Sequence, residues 1–253
     1  MNQATVEEMA RQRKRHVQQS LRYLDKNGQR RGIDKHYRPG RTPQGAKSSE
    51  RHEKRLALKP SQPVHITLRV ARDVGKLRKR HLYLAIRRAM VTTFHRQNFR
   101  IVHVSIQATH VHLLVEADDR MALARGMQGF QISAARHINA AVTEDRDGKR
   151  RRGCVFVDRY HADIITSRRR ARHCLAYVLN NWRHHGEDQL AATTGLVIDP
   201  FSTGTSFAGW RGRTEVDWPS SYQPLPVWEP KTWLLRDGWK LYGLIDPTEV
   251  PGD

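Results

Sequence analysis

The chain has 253 residues, room for one large domain or a smaller one with extensions. Its 45 Lys and Arg against 25 Asp and Glu give a formal charge of +20. The pI of about 10.7 and mean hydropathy of −0.72 point to a polyanion partner, nucleic acid before membrane, and to a part of the chain that is extended. No apolar run is long enough to span a bilayer, and Met1 is followed by polar, charged residues rather than a secretory leader. Two cysteines, Cys154 and Cys174, have no finger spacing; they fit a reducing compartment and read as small buried hydrophobes.

Residues 1–60 hold 16 Lys/Arg against 6 Asp/Glu. The stretch KHYRPGRTPQGAKSSERHEKR reads as a solvated basic arm, with one helix expected over 6–24. Patterned sequence begins with PVHITLRV, a strand over 63–70. A helix follows, with Leu82, Ala85, Ile86, Ala89, Met90 and Phe94 on one face. RIVHVSIQ (100–107) is a second strand, and a short turn leads into a third at His110. A second helix carries Leu123, Met127, Phe130, Ala134, Ile138 and Ala141 as a stripe. The charged loop EDRDGKRRRG precedes a fourth strand expected over 154–165, and Ser167 caps a third helix running to about Trp182. Beyond Gly186 the chain turns loop-like until a short amphipathic candidate at KTWLLRDGWKLYGLI.

This order, β-α-β-β-α-β and then α, predicts an α+β, ferredoxin-like (split βαβ) domain with an antiparallel sheet. Two helices cover one face, and the other is left for a ligand and the last helix. The domain is expected over 61–190, between the basic N-terminal arm of 1–60 and a C-terminal extension of 191–253.

The third strand, HVHLLVEA, carries the chemistry. Side chains alternate along a strand, so Val111, Leu113 and Val115 share one face while His110, His112, Leu114 and Glu116 share the other. Two adjacent imidazoles can hold one metal ion if a third ligand arrives from elsewhere. On the last helix Tyr177 and Asn181 lie at i and i+4, on one face. Laid across the open sheet face, that helix would bring Asn181 as third ligand and Tyr177 beside the ion, with His173 and His184 near the same stripe as alternatives. Three nitrogen and oxygen ligands in an open site suit Mg²⁺ or Mn²⁺ better than a closed zinc site.

His-hydrophobe-His on a strand, followed some 65 residues later by YVLNN on a helix, resembles the single-tyrosine HUH transposases of small insertion sequences, the insertion-sequence-200-like family. The match is nearer to the REP-associated tyrosine transposases. It spans roughly residues 63–200, and DRYHADII resembles the family's aromatic and acidic strand. One position departs: Trp182 stands where the family has proline, so the helix is expected to run further.

The resemblance implies a metal-dependent endonuclease and strand transferase that cuts single-stranded or hairpin DNA. Tyr177 is the implied nucleophile, forming a 5′-phosphotyrosine, and His110, His112 and Asn181 are the implied ligands. A divalent cation, with no small-molecule cofactor, and a cytoplasmic, nucleoid-associated location go with that reading. A homodimer is left open, as is a non-catalytic DNA- or RNA-binding protein on the same fold. Phosphate contacts are expected from Arg168, Arg169, Arg170 and Arg172 at the start of the tyrosine helix, and from Arg150, Arg151 and Arg152 in the charged loop. Tyr160, Trp182 and Trp210 are available to stack on bases, with packing the commoner use of each.

Overall fold

A computed structural model describes residues 57–145, 148, 149, 151, 153–189, 195–212 and 216–252. All belong to the second of two units into which the chain divides, Met1–Gln44 and Gly45–Asp253. The expected helix over 6–24, most of the basic arm and much of the charged loop, including Arg150 and Arg152, lie outside the described residues.

Four strands, β1 (Val64–Arg69), β2 (Phe99–Ile106), β3 (His110–Ala117) and β4 (His161–Ile164), form one sheet in the order β2-β3-β1-β4. Every neighbouring pair is antiparallel, so the predicted split βαβ arrangement is the one observed. Two helices, α1 (Arg80–Val91) and α2 (Arg120–Asp145), lie in the two crossovers. Their apolar stripes (Leu82, Ala85, Ile86, Ala89 and Met90; Leu123, Met127, Phe130, Ala134 and Ile138) are buried with the strand residues Ile66, Leu68, Ile101, Val104, Leu113 and Val115. Gly126 is where α2 meets β2: a Cβ built there would fall 2.2 Å from Cγ of Phe99.

The opposite sheet face packs on α3 (Arg168–His184) and on chain from beyond residue 195. Val102 and Leu114 from the sheet meet Leu175, Val178 and Leu179 from α3, together with Ile198, Trp210, Leu235, Trp239 and Ile245. A shift of register between Ile101 and His103 bulges β2. The bulge lets Val102 join this second core while Ile101 and Val104 stay in the first. The C-terminal candidate helix is one turn, α4 (Trp233–Arg236), followed by a 3-10 turn over Gly238–Tyr242.

Several expectations change. Of the strand expected over 154–165 only His161–Ile164 is regular; Phe156 makes an isolated bridge to Val70, and the Asp158 side chain takes the Arg159 N–H at 2.7 Å, diverting the backbone from the ladder. Cys154 is exposed in this irregular stretch and Cys174 is half-buried, so only the latter comes near the small-hydrophobe role. Tyr160, Trp182 and Trp210 are all buried, which gives them to packing rather than to base stacking.

Candidate active site

Ser167 begins α3 as expected, its hydroxyl accepting the Arg170 N–H at 3.2 Å. From there the helix crosses the sheet face that carries His110 and His112. Tyr177 sits half-buried, its ring edge-on to His112 at 5.3 Å and to His65 at 5.7 Å between centroids. The phenol and both strand imidazoles therefore share one site, as the alternation of β3 and the pitch of α3 predict.

Trp182 in place of proline has a visible consequence. Proline there would break the helix; with tryptophan α3 continues to His184, and His185 caps it. Gly186, at φ +62°, then turns the chain. Its N–H reaches the Arg183 carbonyl and the next N–H reaches that of Trp182, the paired bonds of a Schellman cap. Glu187 fastens this end to the hairpin before β3, its Oε1 accepting the Ala108 N–H at 2.9 Å, and Arg78 bridges Glu187 to Asp199. The result sets His185 against His110, ring centroids 5.0 Å apart.

His110, His112 and His185 each offer a ring nitrogen, all within 4.8 Å of one another. The third imidazole is thus His185, rather than His173 or His184; His184 tilts against Tyr177 at 6.0 Å. Asn181, the ligand expected from sequence, is fully buried, and neither amide atom has a hydrogen-bond partner among the described residues. His112 is alike on one side only. Its Nδ1 lies 3.0 Å from His65 Nε2 and 3.2 Å from Thr67 Oγ1, while its buried Nε2 has no partner among the described residues.

Burial holds these rings neutral. It pushes the pKa of His65 and of His110 down to about 4, and that of His112 to about 2, where His65 and His110 add like-charge repulsion. His185 is lowered as well, by burial and then by His184. A neutral imidazole keeps a lone pair for ligation. The unpartnered, buried His112 Nε2 and the converging ring nitrogens fit a divalent metal ion, which His110, His112 and His185 would hold.

The arginines expected to grip DNA divide. Arg168 and Arg169 are exposed. Arg170 is exposed too but is paired with Asp163 on β4. Arg172 is built into the protein, bidentate to Glu249 at 2.7 and 2.8 Å and bonded to the Gly243 and Leu244 carbonyls. Arg151 is buried, its guanidinium shared among Asp73, Asn139 and the carbonyls of Gly153 and Cys154. For these two the sequence reading is corrected: fastening parts of the fold together occupies the side chain.

A split βαβ sheet with a tyrosine on a helix over paired strand histidines is the architecture that the motifs imply. Residues 60–181 match the family model described as "Transposase IS200 like". That span is just under half of the chain and takes in the whole sheet, both outer helices, His110, His112, Tyr177 and Asn181; the resemblance to the insertion-sequence-200-like transposases is shown. A similar solved structure is that of a REP-associated tyrosine transposase bound to a REP hairpin, 18% identical, covering 70% of this chain and 99% of that one, with a TM-score of 0.43. No curated protein matches the chain.

Proposed function

We propose that the protein is a metal-dependent endonuclease and strand transferase for single-stranded or hairpin DNA, with Tyr177 as nucleophile. The observation that carries this is Tyr177 edge-on to His112 beside three convergent imidazoles. In the reaction Tyr177 Oη attacks phosphorus and loses its proton to solvent. The new bond is a 5′-phosphotyrosine, and the broken one leaves a 3′-oxygen that takes up a proton as hydroxyl. Reversal with another 3′-hydroxyl rejoins the strand without external energy. A tyrosine of pKa near 10 is a weak nucleophile at neutral pH, and a bound divalent cation supplies polarisation of the phosphate and charge neutralisation. Of Mg²⁺ and Mn²⁺, a set rich in imidazole favours Mn²⁺.

The chain's own residues supply position. The second core and the Arg172–Glu249 pair fix α3, so Tyr177 approaches along one direction. Arg168 and Arg169 reach solvent at the start of α3, where they contact phosphates flanking the cut. Arg150, Arg152 and the basic arm of 1–60 are further candidates for phosphate contact by charge, with the catalytic domain taken as 61–190 and the extension as 191–253. A folded single strand is the substrate that the family resemblance implies, and the location is the cytoplasm, at the nucleoid. Pairing of two copies would offer each tyrosine a second set of histidines.

The test is covalent trapping. Labelled hairpin DNA is incubated with the protein and Mn²⁺, Mg²⁺ or chelator, beside Tyr177→Phe. A denaturation-resistant adduct that needs both metal and Tyr177 is expected, with hairpin binding by Tyr177→Phe retained. Clear binding with no adduct or nick across a broad hairpin pool would replace this reading with that of a non-catalytic nucleic-acid binder.

A further inference from the structure

We propose that His65 is a positioning residue that holds His112 in the tautomer able to ligate metal; this rests on the imidazole cluster being a metal site. A neutral imidazole carries one N–H. Were the proton of His112 on Nε2, it would be a buried donor without a partner among the described residues, which is unfavourable, and Nε2 would have no lone pair to give. With the proton on Nδ1, His112 donates to His65 Nε2 at 3.0 Å, and Nε2 faces the site as a donor atom. One contact thus satisfies the buried N–H and frees the ligand.

Thr67 Oγ1, at 3.2 Å from the same Nδ1, does not make that choice, because a hydroxyl donates or accepts equally well. For His65 to accept, its own proton must sit on Nδ1. The strand register favours that arrangement. Asp163 on β4 stands directly opposite His65 on β1, cross-strand partners share a face, and an ionised carboxylate only accepts. Arg170 pairs with the Asp163 carboxylate. A polar row of Asp163, His65 and His112, with Arg170 paired at its outer end, therefore runs across β4, β1 and β3 toward the convergent imidazoles. Outer-shell partners of this kind orient metal-bound histidines and raise their basicity.

The experiment reads the tautomer and the metal separately, on the full-length protein. Imidazole ¹⁵N spectra of the metal-free, histidine-labelled protein, with His112 identified through His112→Gln, report which nitrogen bears the proton. Calorimetric titration with Mn²⁺ reports affinity. Wild type is expected to show the Nδ1–H form. His65→Ala is expected to lose that single form and to bind Mn²⁺ about 10- to 100-fold more weakly, while His65→Gln, whose amide oxygen can accept from Nδ1, recovers most of the affinity. Should the alanine variant not fold, His65→Phe keeps a ring beside Tyr177 and removes only the acceptor. Hairpin binding in chelator should match wild type in every folded variant, which a general structural role would not allow. An unchanged tautomer and unchanged Mn²⁺ affinity in His65→Ala overturn the proposal. Wild type that binds no divalent ion overturns the metal site itself, and the two failures are told apart by the wild-type titration.

Discussion

His103 follows the β2 bulge, buried, with Nδ1 3.2 Å from Thr203 Oγ1. Burial alone takes its pKa from 6.5 to about 4. Because the folded value is the lower one, below pH 6.5 the unfolded chain takes up a proton that the folded chain refuses. Stability is therefore intact above about pH 6.5, falls as the pH drops toward 4, and levels below that, by about 3 kcal/mol for this residue. Melting temperatures recorded from pH 7 to pH 4 should fall, and fall less in His103→Gln; an equal decline in both proteins would show that His103 is not a source of the acid sensitivity. The arginines teach a similar lesson at this scale, since identical side chains have opposite uses. Arg172→Ala strips Glu249 and two carbonyls of their donor and should cost about 1–3 kcal/mol. Denaturant unfolding measures it, and hairpin affinity should stay unchanged once the protein is folded.

Among the elements, α2 and α3 show what a sequence pattern carries and what it omits. The stripe of α2 was legible because periodicity of 3.6 reports burial directly. That Gly126 admits the Phe99 ring was not, because the close approach is made by a strand outside the helix. Gly126→Ala gains about 1 kcal/mol in helix propensity, yet its Cβ would sit inside that ring. We expect net destabilisation of about 1–3 kcal/mol by thermal or urea unfolding; a stabilised variant would mean that α2 shifts freely on β2. For α3, the Ser167 cap, the i, i+4 relation of Tyr177 and Asn181, and the missing proline could all be read locally. His65 and His185 could not. His65 becomes a neighbour of His112 through the pairing of β1 with β3, and His185 meets His110 through the Gly186 turn and the Glu187 tether to Ala108. The only local hints were the alternation of His65 with Thr67 and the run His184-His185-Gly186.

On the scale of the whole molecule, fold order followed from alternating periods, but the division of the basic residues between ion pairs of the fold and exposed surface did not. Ion pairs such as Arg78–Asp199 and Arg100–Glu116 are tertiary facts that spend charge on the fold. Arg168 and Arg169 stay exposed at the N-terminus of α3, where a cation opposes the helix dipole by about 0.3–1 kcal/mol. A pair kept there to meet phosphates makes a two-sided prediction for Arg168→Gln/Arg169→Gln. Melting temperature should hold or rise slightly, because the unfavourable dipole interaction is relieved. Affinity for single-stranded hairpin DNA in chelator should fall, and the slope of log affinity against log salt should flatten by about 1 to 1.5, close to 0.7 for each phosphate that is no longer neutralised. Fluorescence anisotropy over a salt series gives both numbers. A variant that binds as wild type with the same slope would move the DNA path away from this end of α3, to the basic arm and the loop carrying Arg150 and Arg152.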